Sequence, residues 1–279
     1  MPKGFTGRLT DVRGNVSASR PKAAIIREKG TNGEREMAYA MYLAGFEVKD
    51  VHTSDLTSGR EDLSDVNFIV FCGGFSNSDV LGSAKGWAAA ILYNEKARTA
   101  LQNFYARPDT LSLGICNGCQ LMVELGVMEA SEKGSGIRPT LTTSPTLHML
   151  HNDSHKFESN FVNLCIPKND SVLFGSLSGS RLGLWVAHGE GKFSFPKDPQ
   201  NYNIIAQYGY EAYPANPNGS PSAIAGLATT DGRHLCMMPH LERAVFPWQC
   251  GFYPADRLAD EVTPWLQAFV NARKWVEQH

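Results

Sequence analysis

The sequence predicts an α/β protein with a mostly parallel central sheet, helices on both faces, and an antiparallel or mixed β extension. Three observations predict it. Short apolar runs, AAIIR (23–27), NFIVFCGG (67–74) and LSLGIC (111–116), recur in the first half. Helix-spaced segments separate them, as in βαβ units whose strands are buried on both faces. Beyond residue 140, strand-like segments follow one another with few helices between them.

In chain order, residues 1–21 are polar and basic, contain glycine and end at Pro21, which reads as a linker or arm ahead of one domain over 22–279. After the first strand and the loop EKGTNG, Glu34 to Ala44 has helical spacing through Met37, Ala38, Met41 and Tyr42, and stops at Gly45. Phe46 to Val51 reads as a second strand and Asn67 to Gly74 as a third. Ala84 to Ala106 reads as one long helix ending before Pro108. LSLGIC is a fourth strand and Asn117 to Leu125 the helix after it. FESNFVNLCI, LGLWVAH, NIIAQYGY and AIAGLATT read as later strands. Asp231-Gly232 in TTDGRHL is a two-residue hairpin signal. Pro264 to Glu277 closes as an amphipathic helix.

With 279 residues the chain can bury a substantial core without disulfides or metal. A net charge of -2 leaves no basic footprint for nucleic acid. No run of 18 apolar residues is present to span a membrane, and the first residues lack a signal-peptide pattern. Six cysteines in such a chain are expected to be reduced thiols in the cytoplasm.

The chemistry is concentrated in LGICNGCQ, where Cys116 and Cys119 lie three apart between a strand and a helix. Three readings compete. A redox dithiol is one, because C-x-x-C near a βαβ pattern is a thioredoxin-like signature. A zinc site is another, but needs two more ligands, and His148, His151 and His155 are irregularly spaced. The third is a nucleophile elbow. Gly114 and Gly118 flank Cys116 two residues either side, as a sharp strand-to-helix turn requires. There the helix dipole favours thiolate, and the Asn117 backbone N–H points at an oxyanion. A base and an orienter are also present. His240 lies two residues before Glu242 in MMPHLERAV, and residues two apart in extended backbone face one side.

LGICNGCQ followed far downstream by MPHLER resembles the class I, triad-type glutamine amidotransferases. With FCGGFSNSDVLGSAKGW, VAHGEGKF and YPANPNGSPSAI, the chain is similar to the glutaminase domain of the phosphoribosylformylglycinamidine synthase family, in its large single-chain form. The similarity runs from about Lys22 to the end of the chain. It implies Cys116 as nucleophile and His240 and Glu242 as the rest of a triad. It places Gly73, Gly74 and Asn117 at the oxyanion hole. Gln120, His188, Gly189 and Glu190 are implied to meet substrate. The implied reaction hydrolyses L-glutamine to glutamate and ammonia. Synthetase domains, holding ATP and Mg, then use the ammonia to convert formylglycinamide ribonucleotide to the amidine. No cofactor or metal is implied in this domain, and nothing here resembles a P-loop. There are departures. Leu241 stands where the family commonly has proline, Asn77-Ser78 precede Asp79 where Tyr-Gly is frequent, and Leu147-His148-Met149 replaces a Pro-Arg-Phe motif. The rivals are a free-standing thiol hydrolase acting on γ-glutamyl substrates and a non-catalytic partner module.

Overall fold

The computed structural model describes residues 1–279. Its strands, in chain order, are β1 (Lys22–Arg27), β2 (Thr31–Asn32), β3 (Glu47–His52), β4 (Phe68–Phe71), β5 (Gly73–Gly74), β6 (Leu111–Ile115) and β7 (His148–Leu150). They continue with β8 (Glu158–Cys165), β9 (Arg181–His188), β10 (Lys192–Ser194), β11 (Ile204–Tyr208), β12 (Ile224–Ala228) and β13 (His234–Met237). The α-helices are α1 (Leu9–Arg13), α2 (Glu34–Ala44), α3 (Thr53–Ser58), α4 (Lys85–Leu92), α5 (Glu95–Ala106), α6 (Asn117–Glu124) and α7 (Leu266–Val276).

Nine strands form one sheet in the order β3-β1-β4-β6-β13-β12-β11-β8-β9. From β3 to β13 all pairs are parallel. From β13 to β9 all are antiparallel. The apolar runs read in the first half are these parallel strands. Every residue of β4, β6 and β13 is buried, as two covered faces demand. β9 instead alternates, with Leu182, Leu184, Val186 and His188 on its buried side. Helices α1, α2 and α7 pack together, and α3 to α6 form a second group. Chain reversal at β1, with β3 on one side and β4 on the other, puts the two groups on opposite faces, since such crossovers are right-handed.

Four expectations are refined. The segment 84–106 is two helices. Asn94 breaks it because its side chain accepts the Ala97 N–H at 3.0 Å and caps α5, a contact worth about 1 kcal/mol. The Asp231-Gly232 hairpin joins β12 to β13, but through a loop wider than two residues, closed by Gly232 N–H to Thr229 O. The segment around His148 is not all loop: β7 pairs with β10. Residues 1–21 do not stand clear of the domain. Val12 is buried, the Leu9 N–H donates to the Glu261 carboxylate at 2.8 Å, and Arg273 on α7 donates to the Arg13 carbonyl at 2.8 Å. No helix is long and apolar enough to cross a membrane.

In doubly wound sheets, ligands bind at the carboxyl ends of the parallel strands. Gly73, Cys116 and His240 lie within three residues of the ends of β4, β6 and β13.

Candidate active site

Cys116 stands between β6 and α6 with φ 52° and ψ −107°, a conformation few side chains adopt. Such strain costs about 1–3 kcal/mol and persists only where surroundings enforce it. Here they do. The Cys116 N–H continues the ladder by donating to Met237 O at 2.9 Å. The chain then turns at once into α6. A Cβ at Gly118 would collide with the Phe71 carbonyl oxygen, and one at Gly114 with the carbonyl of Gly118. The two glycines flanking the cysteine therefore let helix and strand close on each other. Cys116 is 4% exposed, whereas Cys119 is fully buried. Burial, then the adjoining Cys236 thiol, raises the Cys119 pKa well above its ordinary value.

His240 follows β13 and is anchored by its own N–H, which donates to Trp185 O on β9 at 2.9 Å. The next residues form a single 3₁₀ turn, Leu241–Arg243. The pair does not face one way through extended backbone; the tight turn brings Glu242 back beneath the ring. The Nδ1–Oε1 distance is 2.6 Å, and both side chains are almost fully buried. An ionised carboxylate only accepts, so Nδ1 is the donor of this bond. Nε2 has no hydrogen-bond partner. Burial alone would lower the His240 pKa, but the negative charge of the adjoining Glu242 carboxylate leads the interactions that outweigh it and raise it to about 10. Arg243 Nε lies 3.7 Å from the Glu242 carboxylate, and its guanidinium donates to Asn32 Oδ1 at 2.6 Å.

The imidazole and the thiol adjoin. A Cβ on Gly73 would sit 2.8 Å from His240 Cε1 and 3.4 Å from Cys116 Cβ. No bond is closed between thiol and ring; the thiol instead donates to Ala187 O at 3.6 Å. Catalytic hydrogen bonds are commonly loose before substrate arrives.

The structure brings most of the expected residues to one pocket. Cys116, Gly74, Gln120, His188, Gly189 and Glu190 line it. Gly73 lies behind, against the His240 ring, and the buried Asn117 side chain acts as a brace. Asn117 Oδ1 accepts the Ser76 N–H at 3.0 Å, and its Nδ2 donates to Gln120 Oε1 at 3.0 Å. Gln120 Nε2 donates to Glu190 O at 2.6 Å. One chain of bonds thus ties two loops to α6 around the thiol. Burial, then the charge of His240, lowers the His188 pKa to about 4. His188 is not a satisfied core histidine, for neither ring nitrogen has a partner.

Sequence reasoning missed other participants. Asp79 and Ser83 line the pocket, and Phe75 and Phe157 pack together at its mouth with ring centroids 5.9 Å apart. Asn152 is buried and pins the 188–191 loop. Its Nδ2 donates to His188 O at 2.8 Å and its Oδ1 accepts the Gly191 N–H at 3.0 Å. It lies in HNDSH, between His151 and His155. His148, His151 and His155 do not gather with the cysteines, and no group of three His, Cys, Asp or Glu side chains could hold a metal ion.

A profile described as the CobB/CobQ-like glutamine amidotransferase domain matches residues 20–276. Phosphoribosylformylglycinamidine synthase of Homo sapiens is 44% identical over 273 residues, taking in 91% of this chain and 20% of the relative. A protein of Arabidopsis thaliana named "Probable phosphoribosylformylglycinamidine synthase, chloroplastic/mitochondrial" is 46% identical over 272 residues, 92% of this chain and 19% of the relative. The chain spans about a fifth of the length of these curated relatives. The structure of PurLQS from Thermotoga maritima superposes with a TM-score of 0.67 at 25% identity, covering 93% of this chain and 99% of that one. A glutamine amidotransferase from the same organism shares the fold, with a TM-score of 0.52 at 14% identity over 93% of this chain and 99% of that one.

The raised His240 pKa has a measurable consequence. The folded state holds this proton more tightly than the unfolded chain, where histidine titrates near 6.5. The resulting stabilisation is full below that pH and is lost as pH rises toward about 10. The melting-temperature gap between the wild type and His240→Gln should therefore narrow from pH 7 to pH 10 in differential scanning calorimetry. A gap that holds constant or widens contradicts the assignment.

Proposed function

The chain belongs to the CobB/CobQ-like glutamine amidotransferase family, and from that premise we propose that it hydrolyses L-glutamine to glutamate and ammonia through Cys116, His240 and Glu242. The observation that carries this is the meeting of a strained Cys116 with a buried His240–Glu242 pair. The Cys116 thiolate attacks the side-chain amide carbon, and the π electrons of the carbonyl move to oxygen. Backbone N–H groups near Gly74 and Asn117 hold that oxyanion, at about 3 kcal/mol per donor. His240, protonated and oriented by Glu242, gives its Nε2 proton to the departing nitrogen. The C–N bond breaks, ammonia leaves and a γ-glutamyl thioester remains. Water, losing a proton to His240, then adds to the thioester; the C–S bond breaks and glutamate is released. Gln120, His188, Gly189 and Glu190 hold the amino-acid end of the substrate.

We further propose that the ammonia is consumed within a phosphoribosylformylglycinamidine synthase, in which separate synthetase domains bind ATP, Mg and formylglycinamide ribonucleotide. The human and plant relatives carry that name, and each is about five times the length matched here. The cytoplasm is the compartment we propose; six unpaired cysteines suit it. A free-standing γ-glutamyl hydrolase could use the same triad, and the second test below separates the two.

Glutamate release by variants tests the triad. His240→Ala should remove nearly all turnover and Glu242→Gln should leave more, since the carboxylate only orients the ring. The double variant should be little worse than His240→Ala, because effects within one catalytic unit do not add. Cys119→Ser should keep most of its activity. Additive losses, or a Cys119→Ser loss equal to that of Cys116→Ser, contradict the assignment.

Coupling is tested by adding the synthetase portion with ATP and formylglycinamide ribonucleotide. Glutaminase turnover should rise by about tenfold or more, which requires about 1.4 kcal/mol of transition-state stabilisation. Unchanged turnover, with efficient cleavage of other γ-glutamyl compounds, would favour the free hydrolase.

A further inference from the structure

The second thiol of Cys116-Asn117-Gly118-Cys119 has no part in the reaction above, yet it lies beside the nucleophile. The Gln120 N–H donates to Cys116 O at 3.0 Å, so Cys116 starts the first helical turn and Cys119 falls within it. Helix geometry sets Cα atoms three residues apart at about 5 Å. A disulfide needs about 4.4–6.8 Å between Cα atoms. Side chains on a helix lean toward its N-terminus, which aims the Cys119 thiol at the turn where Cys116 stands. Burial first, then the Cys236 thiol and last the Cys116 thiol raise the Cys119 pKa, so Cys119 adjoins both other sulfurs. The Cys116 thiol is held only by a weak sulfur bond to Ala187 O at 3.6 Å. Access differs between the two thiols. Cys116 lines a cavity of about 90 Å³, whereas Cys119 is fully buried and lines none of it. A helix N-terminus with a histidine alongside is the setting that favours a reactive, oxidisable thiolate.

We propose that Cys119 is a resolving cysteine: oxidation of Cys116 by a peroxide is trapped as a reversible Cys116–Cys119 disulfide, which stops turnover and spares the nucleophile. In the first step the Cys116 thiolate attacks one peroxide oxygen. The O–O bond breaks, hydroxide leaves, and Cys116 becomes a sulfenic acid while the peroxide is reduced. In the second step the Cys119 sulfur attacks the Cys116 sulfur. The S–O and S–H bonds break, the S–S bond forms, and the hydroxyl leaves with the thiol proton as water. A sulfenic acid without a thiol in reach goes on to sulfinic acid, which thiols do not reverse. Cys236 also touches Cys119, but both are fully buried, and Cys116 is the one of the three that meets a cavity. A Cys119 that only fills space beneath the elbow would be matched by serine in every assay. The inference goes beyond the glutaminase reading, because the bond forms whether or not glutamine turns over.

The test treats the chain with hydrogen peroxide, blocks the remaining thiols with iodoacetamide and maps tryptic peptides by mass spectrometry without reduction. No trypsin site falls between Cys116 and Cys119, so one peptide carries both. In the wild type that peptide should lose two hydrogens and escape alkylation at both cysteines, and dithiothreitol should restore glutamine turnover. Cys119→Ser should begin with most of the wild-type turnover. After the same treatment dithiothreitol should restore about fivefold less of it than in the wild type, with sulfinic acid on Cys116. Sulfinic acid on Cys116 in the wild type, a Cys119–Cys236 bond with Cys116 free, or equal recovery in the two proteins overturns the proposal. Should Cys119→Ser fail to fold, the wild-type peptide map still decides. The map needs no turnover. A chain that forms the bond but releases no ammonia from glutamine upholds this inference and removes the glutaminase reading. A chain that turns over glutamine without forming the bond removes this inference alone.

Discussion

The close approach of α6 to the parallel strands at Gly114 and Gly118 is the constraint on which the rest of the site depends. Without it the chain could not turn at Cys116 into helix within one residue. The backbone there is held from three sides: the Met237 carbonyl on β13, the Phe71 carbonyl beneath Gly118, and α6 itself. The strain of one such residue, about 1–3 kcal/mol, is small beside the burial of every side chain in β4, β6 and β13. The sheet therefore determines where the thiol stands. Packing also separates the two thiols, leaving Cys119 sealed against Cys236 and Cys116 at the edge of a pocket.

The antiparallel half of the sheet supplies the other wall. Trp185 O fixes the backbone of His240, and two residues later Ala187 O takes the Cys116 thiol. One strand, β9, thus positions both partners. The loop after it is held by Asn152 and by Gln120, so the wall is tied to α6, the helix that follows Cys116. Charge follows the same plan. Glu242 is buried under the ring with Arg243 close by, and the imidazole between Glu242 and the thiol holds a proton that burial alone would expel.

Local patterns carried most of the fold, and the meeting of Cys116, His240 and Glu242, into the sequence. The apolar runs gave the parallel strands because strands covered on both faces must be apolar throughout. Glycines two residues either side of a cysteine marked the elbow because no Cβ fits there. What depends on distant partners was not legible. Asn94 splits a helix whose periodicity runs on past it, and only its bond to Ala97 reveals the break. The His240–Glu242 pair was expected on extended backbone and lies on a 3₁₀ turn. Leu241, which stands where a proline was noted as common, is fully buried, so packing holds that turn. Asn152 and Arg243 matter through contacts more than 30 residues away in the chain, and no local pattern announces them. Residues 1–21, polar on inspection, dock through Val12 and backbone bonds to the far end of the chain.

The central claim is that Cys116 carries the acyl group. Mass spectrometry of the chain, quenched in acid during turnover of L-glutamine and digested, tests this most directly. The account predicts a γ-glutamyl thioester on the peptide bearing Cys116, on that residue alone, and none in Cys116→Ser. A γ-glutamyl adduct on Cys119 or another side chain, or undiminished glutamate release by Cys116→Ser, would contradict it.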